Sequence, residues 1–270
     1  MKKNRSFLKW AGGKYPLVDD IRRHLPEGDY LLEPFVGAGS VFLNTEYEHY
    51  ILADINSDLI NLYNIVKQRT NSFVRDVRIL FTQEFNTPEQ FYLLRDEFND
   101  CNNNYRRAQL FLYLNRHCYN GLCRYNSRGE FNVPFGRYQR PYFPEDELYY
   151  FAERSHRATF ICEHYRKTML QVTTGAVIYC DPPYAPLSAT ANFTAYHTSN
   201  FNLDDQQALA ELALQLATQQ QVPVLISNHD TELTRGWYQH AELYAVQATR
   251  TISSNISARS KVGELLALYR

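Results

Sequence analysis

Short runs of consecutive apolar residues alternate with amphipathic stretches over much of this 270-residue chain. Residues 30–34, 50–54, 176–180 and 222–227 are such runs, and they predict strands buried on both faces of a parallel sheet. Polar or glycine-bearing residues follow each run, where strand-to-helix turns belong. Residues 202–221 predict a helix, with Asn202 as its cap, Asp204 and Asp205 in its first turn, and Leu209, Leu212 and Leu216 on one stripe. Residues 265–269 predict a closing edge strand. Alternation of this kind indicates an open α/β sheet.

The middle of the chain follows a different rhythm. From Asp58 to about Asp100 the period is helical, as in Leu59, Ile60, Leu62, Tyr63 and Val66, then Val74, Val77, Leu80 and Phe81. Residues 108–114 continue it. Residues 119–138 are instead rich in Gly, Asn, Arg and aromatics and read as a loop or hairpin. The expected organisation is an α/β domain made of residues 1–56 and 145–270, split by an inserted, mostly helical module over 57–144.

Composition sharpens the picture at two points. The 21 Tyr and 16 Phe are many for this length; they suit either a tyrosine-rich core or nucleobase stacking. The net charge of −1 gives no global basic field, but its distribution is uneven. Arg106, Arg107, Arg116, Arg124, Arg128, Arg137 and Arg140 face only Glu130 between Tyr105 and Arg140, which places a candidate polyanion site in the middle. Cys101, Cys118, Cys123, Cys162 and Cys180 form no CxxC pair and no zinc-ligand spacing with histidine, so free thiols are expected. The start of the chain lacks an apolar signal core and no stretch approaches a membrane span. A cytoplasmic protein is the expectation.

Two strand ends carry candidate chemistry. Glu33-Pro34-Phe35-Val36-Gly37-Ala38-Gly39-Ser40 directly follows the first predicted strand, and Gly37 and Gly39 allow a tight turn with close approach of backbone to a ligand. Asp54 ends the next strand, where a carboxylate can accept both ribose hydroxyls of a nucleoside. A dinucleotide fingerprint would need glycine or alanine at Phe42, and a P-loop around Lys14 would need glycine at Leu8 and Ser or Thr at Tyr15. Neither phosphate cradle is met.

Asp181-Pro182-Pro183-Tyr184 is the sharpest signal, placed at the end of the apolar run 176–180. An exocyclic amine is a poor nucleophile because its lone pair is delocalised into the ring. Two acceptors aimed at its hydrogens draw the nitrogen toward tetrahedral geometry; the Asp181 carboxylate and the Pro182 carbonyl can supply them. Consecutive prolines keep both acceptors aimed, and Tyr184 offers a ring to stack on a base. The alternative is an ordinary Asp-Pro-Pro turn.

A third segment, residues 115–126 continuing to Pro134, Arg137 and Tyr138, interleaves Arg, Asn and Tyr as a base-reading surface would; a solvated basic hairpin is the plainer alternative. Residues 187–201 contain no Lys, Arg, Asp or Glu and suit either a lid or a surface loop. Residues 227–230 end another predicted strand and can border the same pocket, or merely cap a helix.

Taken together, these residues resemble the Dam family of DNA adenine methylases over nearly the whole chain. Phe7-Leu8-Lys9-Trp10-Ala11-Gly12-Gly13-Lys14 is similar to that family's N-terminal motif, residues 33–39 to its cofactor loop and residues 181–184 to its catalytic tetrapeptide, in the family's order. The resemblance implies a class I methyltransferase fold: a Rossmann-like seven-stranded mixed sheet with helices on both faces and a helical target-recognition insert. It implies transfer of a methyl group from S-adenosyl-L-methionine, leaving S-adenosyl-L-homocysteine, to adenine N6 in double-stranded DNA at GATC, without a metal, a membrane or an obligate protein partner. Roles in mismatch repair and in timing replication and transcription come with it, in a nucleoid-associated setting. Asp181, Pro182, Pro183 and Tyr184 are the implied catalytic set. Trp10, Lys14, Glu33, Phe35, Gly37, Gly39, Asp54 and Asp181 are the implied cofactor contacts. Lys9, Arg116, Tyr119, Asn120, Leu122, Arg124, Asn126, Pro134, Arg137 and Tyr138 are the implied DNA contacts. Methyltransferases for amino groups of RNA or protein glutamine share the tetrapeptide, and a DNA-binding protein with a decayed methylase fold is the non-enzymatic alternative.

Overall fold

Five of the strands run parallel, so their carboxyl ends lie along one edge of a single sheet. The computed structural model describes residues 3–185, 201–248 and 262–270. In chain order the strands are β1 (Tyr30–Glu33), β2 (His49–Asp54), β3 (Ala158–Cys162), β4 (Ala176–Cys180), β5 (Val224–His229), β6 (Glu242–Ala248) and β7 (Val262–Tyr269). Their order across the sheet is β3-β2-β1-β4-β5-β7-β6, with β7 antiparallel to both its neighbours. The four central strands β2, β1, β4 and β5 thus end side by side at Asp54, Glu33, Cys180 and His229. This is the seven-stranded fold of class I S-adenosylmethionine-dependent methyltransferases.

The central strands are Leu-, Val- and Ile-rich because helices cover both faces, and every residue of β4 is buried. The helices are α1 (Val18–His24), α2 (Ser57–Arg78), α3 (Pro88–Asp100), α4 (Asn104–His117), α5 (Glu145–Ser155), α6 (Tyr165–Leu170), α7 (Leu203–Gln220) and α8 (Glu232–Trp237). Local sequence sets their ends. Asn56 caps α2 by accepting from the backbone N–H groups of Asp58 and Leu59. Thr87 and Asn103 cap α3 and α4. Asn202 and Asp205 form a reciprocal capping box on α7, which stops at Gln221 in the left-handed region (φ 55°).

The closing strand is not at an edge. Residues 262–269 insert between β5 and β6, leaving β3 and β6 as the edges. The apolar run 265–269 is buried on both faces, which already marks an interior strand rather than an edge. Both true edges escape the apolar pattern because polar residues interrupt each, Thr159 in β3 and Glu242 and Gln247 in β6.

The helix α2 begins at the boundary expected at residue 57, and its first half packs against the sheet. It kinks at Arg69 (φ −136°, ψ 35°). Before the kink, Tyr63 packs on Phe160 of β3 and Phe151 of α5; after it, Phe73 meets Tyr105 of α4 edge-on. One continuous apolar core therefore runs from the sheet into the helices of the insert. Residues 119–138 form an irregular hairpin with antiparallel bridges Cys118–Phe135 and Tyr125–Phe131.

Candidate active site

Three strand ends build one crevice. Past β1, Gly37 (φ 45°) and Gly39 (φ 67°) take conformations that side chains disfavour, and a Cβ on Gly37 would lie 2.9 Å from the Trp10 indole nitrogen. Trp10 is thereby laid against the loop. The Gly37 N–H donates to the Asp54 carboxylate at 3.1 Å, and the Asn56 N–H donates to its other oxygen at 3.0 Å. Tyr63 donates to the Gly37 carbonyl. Burial raises the Asp54 pKa, while these N–H groups pull against that rise. Phe35 stacks on Tyr165 with centroids 5.2 Å apart, and Phe201 meets both rings edge-on.

At the end of β4, Lys14 Nζ lies 2.8 Å from the Asp181 carboxylate and 4.3 Å from the centre of the Tyr184 ring. Ser227 donates to the same carboxylate at 3.2 Å, and Tyr184 donates to Glu264 of β7 at 2.7 Å. Burial pushes the Asp181 pKa up and the Lys14 ammonium holds it back. Glu33 sits at the floor. It is 2% exposed, its Oε1 has no hydrogen-bond partner among the described residues, and burial lifts its pKa to about 8, with Asp181 adding to the rise and the Phe42 N–H opposing it.

These features fit a cationic nucleoside. The ring face of Tyr184 already draws a positive charge, an unpaired buried carboxyl oxygen awaits a donor, and Asp54 presents a carboxylate aligned by two N–H groups. Sulfonium, ammonium and ribose hydroxyls are groups of those kinds.

The hairpin residues divide into two sets. Tyr119, Asn120, Arg124, Pro134 and Arg137 are exposed; Leu122, Asn126 and Tyr138 are half-buried. Lys9 spans the hairpin and the crevice. Its Nζ lies 3.7 Å from the centre of the Tyr138 ring and donates to the Arg116 carbonyl. Burial and the Arg116 charge lower its pKa to about 8. Gly121 (φ 64°) permits this packing, because a Cβ there would overlap the Lys9 side chain. Arg116 turns inward. It is 8% exposed and its guanidinium donates to the Tyr142 and Phe7 carbonyls at 3.1 and 3.5 Å. The Asn126 side chain is occupied within its own turn, accepting from the Arg128 and Glu130 N–H groups and donating to the Glu130 carboxylate.

The basic middle is accordingly less basic than its count. Arg106 pairs with Glu97, Arg107 with Asp58 and Arg128 with Glu130, and Arg116 is buried. Arg124, Arg137 and Arg140 remain exposed. Sequence reasoning set Ser227 and Asn228 at the border of the pocket and missed Gln206 and Glu264; all four hold the 181–185 segment. The only available signal was the polar Ser227-Asn228 pair inside an apolar strand. The lid suggested at 187–201 falls, except for Phe201, outside the described residues.

The fold and crevice define a methyltransferase of the class I type. Residues 10–252 match the family of D12 class N6 adenine-specific DNA methyltransferases, and the chain belongs to that family. It is 77% identical to a DNA adenine methylase of Serratia marcescens over the whole of both chains. It is 65% identical to that of Escherichia coli (strain K12), spanning all of this chain and 97% of the relative. To a DNA adenine methylase of Vibrio cholerae it is 56% identical, again over 97% of the relative.

Proposed function

We propose that this enzyme methylates adenine N6 at GATC in double-stranded DNA, on a base swung out of the helix into the crevice between β1, β4 and the 115–138 segment. One observation carries the reading: the Asp181–Pro182 acceptor pair stands at the end of β4, beside the cofactor-type pocket at the ends of β1 and β2. When bound, S-adenosyl-L-methionine would supply an electrophilic methyl group and would be left as S-adenosyl-L-homocysteine. Trp10, Phe35, Gly37 and Gly39 would enclose it, Asp54 would accept the ribose hydroxyls, and Glu33 and Lys14 would set the charge balance of its amino-acid end. No metal is needed for this chemistry.

The adenine amino group donates its two hydrogens to the Asp181 carboxylate and the Pro182 carbonyl. That polarisation localises the nitrogen lone pair, and Tyr184 holds the ring against sliding. The base must leave the stack because its amino nitrogen is out of reach within a duplex. Residues 57–144 act as the target-recognition module. Lys9, Tyr119, Asn120, Leu122, Arg124, Pro134, Arg137 and Tyr138 form its DNA face, with Arg116 and Asn126 shaping the hairpin from behind. Post-replicative strand marking for mismatch repair, and timing of replication and transcription, are the cellular roles such a reaction serves in the cytoplasm.

The test uses labelled S-adenosylmethionine with duplexes containing GATC or a scrambled site. Digestion by nucleases that distinguish methylated from unmethylated GATC is expected to show protection of the first duplex alone. Label on RNA or protein in preference to DNA, or equal label in the scrambled duplex, overturns the reading.

A further inference from the structure

The catalytic segment is braced by a pair of buried amides that no part of the chemistry above uses. Gln206 of α7 and Asn228 of β5 are 2% and 0% exposed. Gln206 Nε2 donates to the Pro183 carbonyl at 2.5 Å, and its Oε1 accepts from Asn228 Nδ2 at 3.0 Å. Asn228 Nδ2 donates also to the Tyr238 hydroxyl, while Asn228 Oδ1 accepts the N–H groups of Ala185 at 3.1 Å and His229 at 2.9 Å. Both donors and both acceptor sites of Asn228 are thus in use. Turning either amide over would set an NH2 group against N–H donors or an oxygen against a carbonyl, so the orientation is locked.

The backbone explains what this pair is for. The rings of Pro182 and Pro183 fix their φ angles, and a following proline confines Pro182 to extended ψ. The soft torsions left between the Pro182 acceptor and the Ala185 N–H are ψ of Pro183 and φ and ψ of Tyr184. Gln206 holds the Pro183 carbonyl directly after the first of these, and Asn228 holds the Ala185 N–H after the last, so the two amides clamp Tyr184 from both sides. Resting on the assignment of residues 181–184 as the catalytic segment, we propose that Gln206 and Asn228 are positioning residues. They fix the Pro183 peptide plane and so keep the Pro182 carbonyl and the Tyr184 ring in register with the target amine.

The experiment compares Gln206→Leu and Gln206→Glu with the wild-type enzyme, measuring kcat, the dissociation constants for cofactor and duplex, and the pH profile. Gln206→Leu removes both bonds at similar volume and is expected to lower kcat roughly 10- to 100-fold, with both dissociation constants within about threefold of wild type. Gln206→Glu places a carboxylate against the Pro183 carbonyl at high pH. At low pH the introduced carboxyl can donate to that carbonyl and accept from Asn228, restoring both bonds. Its kcat relative to wild type is therefore expected to rise as pH falls, which a merely structural role would not produce. A kcat for Gln206→Leu within about twofold of wild type, a loss confined to binding, or a flat ratio for Gln206→Glu overturns the proposal. Should Gln206→Leu fail to fold, the pH ratio of Gln206→Glu decides alone. Wild-type enzyme that methylates adenine beside an unaffected Gln206→Leu sinks this inference and spares the reading of the site; wild-type enzyme that leaves adenine unmodified sinks both.

Discussion

Lys14 Nζ stands 2.8 Å from the carboxylate of Asp181, and both side chains are largely withdrawn from solvent, at 7% and 22% exposure. The carboxylate must be ionised to accept an amino hydrogen with full strength. Burial raises its pKa and the ammonium opposes that rise, so single-turnover rates at saturating cofactor should fall with acidification at a pH above the ordinary carboxylate range. Lys14→Gln removes the opposing charge, and the acid limb should move to still higher pH. An acid limb that stays put in the variant would show that Asp181 is not the titrating group. Asp181→Ala should abolish turnover while duplex affinity persists in a gel-shift titration.

Glu33 predicts opposite changes in stability and cofactor affinity. Its carboxyl titrates near pH 8 in the fold against an ordinary value of 4.5. Below about pH 4.5 the group is protonated whether folded or unfolded and costs nothing. As pH rises toward 8, the unfolded chain releases the proton first and the folded state loses relative stability. Glu33→Gln should therefore match wild type near pH 4.5 and exceed it at pH 9 by on the order of a few kcal/mol, read by denaturant titration of cofactor-free protein. The same variant should bind the cofactor more weakly, because it replaces with a neutral amide the carboxyl whose Oε1 has no partner among the described residues. Equal stability at both pH values would show that the buried carboxyl is not strained.

Two arginines of the basic segment should behave oppositely. Arg124 is exposed and fans toward solvent from the hairpin, held by Asn132 at 2.8 Å. Arg124→Ala should relax discrimination between GATC and its single-base variants by about 1–3 kcal/mol at the position read. Arg116 is enclosed by backbone carbonyls and the Tyr142 ring. Arg116→Ala should lower Tm by several degrees and leave site preference intact, since ~1 kcal/mol moves Tm by roughly 2–4 °C at this size. Competition methylation across a panel of altered duplexes separates the two.

That contrast marks what the linear sequence could carry. Strands buried on both faces write an unbroken apolar run, so β1, β2, β4 and β5 stood out, and with them the strand ends where Glu33, Asp54 and Asp181 gather. Polar residues interrupt the two edge strands and shorten their apolar runs, so β3 and β6 left no comparable mark. The tetrapeptide 181–184 was visible because its chemistry is contiguous. Two of its supports were not, because Gln206 and Glu264 come from other elements and meet it only through the sheet order, whereas Ser227 and Asn228 showed as polar residues ending an apolar run. Charge counting misjudged the insert for the same reason: Asp58 and Glu97 neutralise Arg107 and Arg106 from other helices.

Asp58 also ties the 119–138 hairpin to the start of α2, just past the end of β2. Tyr125 in the hairpin donates to its Oδ2 at 2.6 Å, and Arg107 of α4 grips both of its oxygens. Two residues earlier, Asn56 donates from its backbone to Asp54 and from its side chain to Cys123 of the hairpin. Tyr125→Phe deletes one hydrogen bond to a charged acceptor and should cost about 1.5–3 kcal/mol in urea unfolding. Asp58→Ala should cost more, because it removes the ion-pair partner of Arg107 and leaves its guanidinium only the Phe98 and Cys101 carbonyls and the Phe98 ring. In a double-mutant cycle the two changes should be non-additive, since both act through the same carboxylate. The functional consequence follows from where the network sits. Loosening Tyr125 frees the hairpin but leaves the Gly37–Asp54 contact in place, so duplex affinity should fall while cofactor affinity holds. Additive stabilities, or an equal loss of both affinities, would mean that the hairpin is held from elsewhere.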